Sequence, residues 1–461
     1  MKGEELAGLL SSALATAGEP DAELYAAFAR RGFARFSVGE LGQHMQLEEP
    51  VVAVRVSRDG RVLEASTSEL DEAAIVSVIQ RTAAAAASVP RDPLFAGFAR
   101  PDEPTPVPVA RYAESTASAS AEQRVALLAP VFERIRSAGL LATGVLDTTS
   151  RIEAVATSHG LTRSHESTLA TFKVWALETA GSSGASGHGM GAHVDLDRLE
   201  IEAETERAIA DALRGKSPGS LPAGRYDTVL GALALCELVE WLAMIGLGAR
   251  ELEQGLSPLS GRLGERITAE SFSVVEDPLG AHAFAAPFDR EGVARRQVPL
   301  IVRGVAQGVV HDRLTANRAG VSSTGNAAQP GGFGVGGPLP SSLVVQGGSA
   351  KSVDELIAGV DRGLYVRRLH YVNGYLEPRR AVMTGLTRDG TFLIEGGKVT
   401  RPIESMRFTD SLLEALERAD GMDSMTAERV IAPNWWSAGG SVAAPAVRIR
   451  GLTFSSGSRE K

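Results

Sequence analysis

The residues best equipped for chemistry lie in one short run, Cys236-Glu237-Leu238-Val239-Glu240-Trp241. Its surroundings are apolar, which predicts a buried helix carrying two carboxylates and the chain's one thiol. A glutamate in such a place is a candidate general base. A thiol becomes a nucleophile only when a nearby cation or a helix N-terminus lowers its pKa. Cys236 has Leu235 and Glu237 as neighbours, and a carboxylate raises a thiol's pKa. Packing is therefore favoured over catalysis for Cys236. No Gly-x-Ser-x-Gly elbow supports an α/β-hydrolase serine.

Other polar groups divide between two readings. His311-Asp312-Arg313, with Asn317 and Asn326 further on, would either face a substrate chamber or form a strand-end cluster held by hydrogen bonds. His188 and His193 flank Met190 in a glycine-rich stretch without a nearby acid or cysteine, a poor metal site and a better surface loop. His165-Glu166 has no second histidine four or five residues on and is expected on a strand. Gly332-x-Gly334-x-x-Gly337 fits the dinucleotide fingerprint, but Pro338 and Pro340 follow where a helix should open. That loop lies near a substrate chamber or plainly on the surface. Trp435-Trp436 would line an interface or a core.

Several elements must position these groups. An opening helix over Leu6–Ala17 places Leu6, Leu9, Leu10, Ala13 and Leu14 on one face. A hairpin of Val51–Val56 and Val62–Ala65 turns at Asp59-Gly60. Ser68 and Asp71 suit the cap of the next helix. Prolines between Pro90 and Pro108 make a stiff connector. A helix starts near Ser120 with Gln123 completing a capping box, and Pro130 should bend it. Strand-like runs follow at Leu140–Thr148, Arg151–Thr157 and Leu161–Glu178. Gly181–Gly191 is expected as a loop, and Asp197–Arg214 as an amphipathic helix. Beyond Gly215–Pro222 comes a helix over about 228–251. Strands and turns dominate the rest, with one short helix at Ser352–Arg362. The fold class expected is α+β. It has N-terminal α/β units with an antiparallel sheet and a strand-rich C-terminal domain around a buried central helix. The divisions are 1–95, 110–215 and 222–455.

Composition bounds the function. The 461 residues are 44% hydrophobic and 22% charged, enough for large cores and ordinary for a globular chain. A net charge of -9 argues against a general nucleic-acid binder. One cysteine permits no internal disulfide and suits a reducing cytoplasm. Lys2 is followed by Glu4 and Glu5, against a signal peptide. Glu237 and Glu240 sit mid-segment in the longest apolar run, where an ionised group costs roughly 2.5–3.5 kcal/mol in a membrane. A soluble helix is expected there instead.

The chain resembles the TldD/PmbA family. The resemblance rests on Glu276-Asp277-Pro278, Pro287–Gly292, Val309–Asn317, Ser323–Asn326, Gly363–Val366, Ile394–Val399 with Arg401-Pro402, and the closing run Pro445–Thr453. Asp59–Val62 and Ala65–Thr67 match its first domain. In this family the TldD-type subunit carries zinc on a His-Glu-x-x-x-His helix, completed by a distal cysteine, and the PmbA-type (TldE) subunit lacks these ligands and pairs with it. Mapped here, the two histidine positions are Cys236 and Trp241 around Glu237. The third ligand position falls near Ile431, and Ile431–Gly440 contains no cysteine. Residues five apart on a regular helix are turned by about 140°, so convergence on one metal needs a bent or widened helix. Leu238-Val239-Glu240 holds no glycine to ease that, and an ordinary helix is expected.

The resemblance thus implies a PmbA/TldE-like subunit with no catalytic residue and no metal of its own. It would complete the chamber and hold an unfolded or short peptide, or a peptide-like biosynthetic intermediate, while a zinc-bearing TldD-like partner hydrolyses it. The alternatives are a self-contained hydrolase or transferase with non-zinc chemistry, through Cys236 or His311, and a homodimeric binding protein.

Overall fold

The structure is a computed structural model and describes residues 1–178, 184–329, 337–424, 432–433 and 440–457. The chain opens with α1 (Gly3–Ala17), which buries Leu6, Leu10, Ala13 and Leu14 on one side. β1 (Ala22–Ser37), β2 (Glu40–Arg58) and β3 (Arg61–Thr67) form an antiparallel meander. Asp59 and Gly60 turn β2 into β3 at φ 53° and 75°, as an Asp-Gly pair favours. α2 (Glu72–Ala86) starts one turn later than Ser68 predicts, because the Asp71 carboxylate takes the cap and accepts from the Ala74 amide at 2.9 Å. β1 was not foreseen. Its inward positions are largely alanine, and small residues carry little period-two signal.

α3 (Glu114–Ala117) and α4 (Ala121–Ser137) follow the connector. α4 opens on the expected Ser120–Gln123 capping box and continues through Pro130. β4 (Leu141–Thr157) is one strand where the sequence predicts two, since residues 149–151 keep their register opposite β1. β5 (Thr162–Leu177) and β6 (Ser186–His193) complete the sheet. β6 occupies much of the stretch expected as a loop. Its glycines serve close approach: a Cβ on Gly187 would lie 2.0 Å from the Ala208 carbonyl of α5 (Ile201–Arg214).

The strand order is β3-β2-β1-β4-β5-β6. Segments 1–95 and 110–215, expected as separate units, therefore share one sheet, joined by β1 and β4 from Glu23↔Thr157 to Phe36↔Gly144. Even-numbered residues of β1 face the helices: Leu24 and Ala26 meet α1 and α2, while Ala34 and Phe36 meet α4. Odd-numbered residues such as Tyr25 and Ala27 turn the other way, toward Ala99 and Phe288.

The second half begins with β7 (Gly224–Leu230) and α6 (Ala232–Gly246), where the sequence predicts one long helix. Residues 228–230 lie in a buried strand paired on both sides, which looks like helix core by hydrophobicity alone. Then come α7 (Ala249–Glu253), β8 (Ser273–Glu276), β9 (Val298–Val302), β10 (Val305–Ala306), α8 (Arg313–Ala319), β11 (Ser342–Gln346) and α9 (Val353–Ala358). β12 (Arg362–Glu377), β13 (Val382–Glu395), β14 (Lys398–Pro402), β15 (Met406–Ser411), α10 (Leu412–Glu417), β16 (Ala419–Met422), β17 (Ala432–Pro433), β18 (Ser441–Ala443) and β19 (Val447–Gly457) follow. One sheet runs β10-β9-β8-β11-β18-β17, and another β12-β7-β19-β15-β13-β14. β12 also pairs with β13, so five strands of the latter close into a ring.

The fold is α+β, with an antiparallel N-terminal sheet and a strand-rich second half. α6 sits in its largest core. Leu235, Leu238, Val239 and Leu242 are each at most 3% exposed. Burying four such side chains, at roughly 1.5–3 kcal/mol each, offsets the cost of carrying two glutamates on the same helix. Among the described residues no helix is long and apolar enough to cross a membrane.

Candidate functional site

α6 has two unlike sides, set by its 3.6-residue period. Cys236 points into the core, where its thiol donates to the Val442 carbonyl at 3.5 Å and receives the Ala444 amide. Burial pushes the thiol's pKa up, and the Glu240 charge adds to this. A thiol so held is not a nucleophile. A neighbouring stripe carries Leu233, Glu237, Glu240 and Trp241, spaced i, i+4, i+7, i+8 and only partly buried. The helix is regular throughout, without local widening.

This less buried stripe meets a polar seam between the N-terminal sheet and the strand ring, with Lys173 of β5 and Arg368 of β12 beside it. The Glu237 carboxylate accepts the Val372 amide from β12, and burial raises its pKa despite the opposing charge of Arg368. Glu240 is pushed up to about 8, by burial first and by Glu237 second, with Lys173 of β5 opposing. Its Oε1 is buried and has no hydrogen-bond partner. Burial lowers the pKa of Lys173 itself, with Glu240 opposing. At neutral pH Glu240 is therefore mostly a neutral acid, able to donate a hydrogen bond as well as accept one.

Asp389 ties the two sides of the seam together. It accepts from Trp175 Nε1 at 3.1 Å and from Ser186 Oγ, both on the N-terminal sheet. It also forms an ion pair with Arg368 of β12. The Arg368 guanidinium stands over the Trp175 ring, 5.6 Å from its centroid. His188 is 4% exposed and packs tilted against Trp175, ring centroids 4.6 Å apart, so it is a core residue and not part of a surface loop. Burial and then Arg368 pull its pKa down to about 3, which keeps the ring neutral. Beside this group a cavity of about 320 Å³ is lined by Ser186, Asp389, Thr391 and Glu404.

Lys173, Trp175, Arg368 and Asp389 were missed from the sequence. Lys173 and Trp175 alternate on one face of β5, which was legible. Their convergence with β12 and β13, some 200 residues later, was not.

The second group of sequence candidates serves the fold. Asp312 caps α8 and accepts from the Thr315 amide at 2.8 Å. Arg313 pairs with Glu103 and donates to the Gly97 carbonyl at 3.2 Å. Asn317 donates to the Leu94 carbonyl at 2.8 Å. Arg313 and Asn317 thereby clamp the proline-rich connector. Asn326 is 1% exposed and bonded to Glu276 and Thr324. His311 keeps a half-buried ring whose Nδ1 has no hydrogen-bond partner among the described residues. Ile431, Trp435-Trp436 and Gly332-x-Gly334 lie outside the described residues.

A zinc ion does not fit α6 as it stands. Cys236 is turned into the core and bonded there, Trp241 offers no ligand atom, and Glu237 alone cannot supply the usual three protein ligands. Among the described residues no three His, Cys, Asp or Glu side chains are grouped to hold a metal.

The family profile described as PmbA/TldA metallopeptidase C-terminal domain matches residues 223–456, which contain α6 and the strand ring. A metalloprotease of Methanothermobacter thermautotrophicus is 27% identical over 255 residues, 54% of this chain and 55% of that protein. A metalloprotease TldD homolog of Haemophilus influenzae is 28% identical over 214 residues, 46% of this chain and 44% of the other. The chain spans about half the length of the curated relatives it matches. TldE from Thermococcus kodakarensis superposes with a TM-score of 0.86 over 97% of this chain and 100% of that one, at 19% identity. A structure titled as a modulator of a DNA gyrase, from Thermotoga maritima, gives 0.83 over 97% and 99%, at 20% identity. These structural likenesses establish a shared fold.

Proposed function

This chain belongs to the PmbA/TldA metallopeptidase family, and from that premise we propose that it is the zinc-free, non-catalytic subunit of a TldD/TldE-type assembly. The observation that carries the proposal is the side-chain placement on α6. Cys236 and Trp241, at the two ligand positions, are both spent on packing, while Glu237 between them is bonded to the Val372 amide.

In this reading a TldD-like partner holds the zinc, which would polarise the scissile carbonyl and activate a water. This chain's own part is to bind and orient. Glu237, Glu240 and Lys173 place hydrogen-bonding groups of both signs along the seam, suited to the alternating donors and acceptors of a peptide backbone. The strand-rich second half offers edges for an extended segment. Unfolded or short peptides and peptide-like biosynthetic intermediates share that chemistry. The reducing cytoplasm is the compartment that suits a single thiol.

The test is purification of the chain alone and together with a TldD-like partner. Zinc by elemental mass spectrometry and peptide hydrolysis are expected only with the partner. Stoichiometric zinc with peptidase activity in the isolated chain overturns the proposal.

A further inference from the structure

A cavity of about 550 Å³ lies where the C-terminal end of α5 meets the strand ring. Its size falls within the roughly 300–1,000 Å³ of small-molecule sites, which favour such junctions. Two sequence motifs without a role in the α6 seam converge on it. Gly363–Val366 brings Tyr365, and Ile394–Val399 brings Lys398 and Val399 through the tight turn at Gly396-Gly397. A Cβ on Gly397 would lie 2.9 Å from the Ala358 carbonyl, so the turn closes against α9 only with glycine there.

The cavity stands on the far side of β12 from α6. Leu364 and Val366 belong to the core that holds α6, whereas Tyr365 between them joins Phe392, Ile357 and Val360 on the opposite face. It is therefore independent of the α6 seam and of the metallopeptidase reading.

Its charged groups, Arg214, Asp354 and Lys398, are exposed to solvent and form no ion pair among the described residues. Nearby arginines each hold a carboxylate: Arg367 pairs with Asp211, Arg448 with Asp420, and Arg450 with Asp227. Arg214 and Lys398, by contrast, form no ion pair among the described residues. Arg214 is steered over the Phe392 ring, 5.7 Å from its centroid. Asp354 lines the same cavity and likewise has no cationic partner there. Between the charges lie Val353, Ile357 and Val399. Two cations fit a carboxylate, one carboxylate fits an ammonium, and the apolar wall fits an aliphatic side chain. Asp354 would repel a bare phosphate.

We propose that this cavity is a binding site for a short zwitterionic peptide with aliphatic side chains. The carboxylate would be held by Arg214 and Lys398 and the amino terminus by Asp354.

Calorimetric titration of the full chain with the dipeptide Leu-Leu tests this, with N-acetyl-Leu-Leu, Leu-Leu amide and inorganic phosphate as comparison ligands. Saturable binding of Leu-Leu at one per chain is expected. Acetylation, amidation, Arg214→Gln and Lys398→Gln should each weaken it about tenfold, the loss of one charge-assisted hydrogen bond. Lys398 is exposed, so its variant remains informative if removing Arg214 from Phe392 perturbs folding. Absence of saturable Leu-Leu binding, or binding that neither variant weakens, overturns the proposal. Binding of phosphate without the dipeptide does so as well and leaves a simple anion site.

Discussion

Trp241 and Tyr375 meet edge to face, with ring centroids 5.5 Å apart and planes at 89°. The indole also rests on Gly374, its Cε3 3.0 Å from where a Cβ would stand. At the position where the family's TldD-type helix is said to carry a second histidine, this chain has built an aromatic anchor between α6 and β12.

Removing the anchor should cost stability. Trp241→Ala loses a partly buried indole and an aromatic pair, together worth up to about 3 kcal/mol. Urea denaturation followed by circular dichroism measures this, and an unchanged midpoint would contradict the packing role. Trp241→His should not create a zinc site, because Cys236 lies on the other side of the helix. One zinc per chain in the purified variant would show that the two positions converge after all.

Cys236 should be inert in the folded protein. Its thiol is 1% exposed, bonded to Val442 and raised in pKa by burial. Iodoacetamide at pH 8 should leave the native chain unmodified for hours and label it once it is unfolded in guanidinium. Rapid labelling of the native chain, read by intact-mass measurement, would restore Cys236 as a candidate nucleophile.

Glu240 should make stability fall as pH rises. Its folded pKa is pushed from 4.5 up to about 8 by burial and by Glu237. Between those values the folded state binds more protons than the unfolded one, so unfolding free energy decreases with increasing pH. The penalty is absent below pH 4.5 and complete above about 8. Glu240→Gln removes the charge, so the variant's advantage over the parent should grow from pH 5 to pH 9. Melting temperatures across that range decide it; a constant difference would mean that Glu240 ionises normally.

Arg55 joins the two halves of the molecule. Its guanidinium bridges Glu23 at 2.9 Å and Glu291 at 2.8 Å, and both acids are nearly inaccessible. Arg55→Gln would leave two buried carboxylates uncompensated, a loss of about 3–5 kcal/mol. The deficit should shrink toward acid pH, where protonation discharges them. Equilibrium unfolding at pH 7 and pH 5 is the measurement, and a pH-independent deficit would argue that packing rather than charge is lost.

The local elements were legible where local chemistry decides them. The Ser120–Gln123 box starts α4, the Asp59-Gly60 pair turns the hairpin, and the amphipathic pattern of residues 197–214 marks α5. β1 and β6 were hidden because alanine and glycine at their inward positions fit against neighbours that a single sequence does not display. Long apolar runs were ambiguous for the same reason: residues 228–230 of β7 continue the apolar run of α6, and only pairing on both sides of β7 separates strand from helix.

By itself the sequence determined which side chains α6 carries, and so that Cys236, Glu237 and Trp241 cannot make the family's zinc motif. It could not assign their surroundings. The tertiary structure decided that Cys236 faces Val442 and that Trp241 faces Tyr375. It also decided that burial and Glu237 push Glu240 toward its neutral form despite Lys173, and that Arg313 and Asn317 clamp the connector. Ligand chemistry depends on residue type, which the sequence displays. Burial, ionisation and partner choice depend on groups distant along the chain, and only the folded arrangement brings those together.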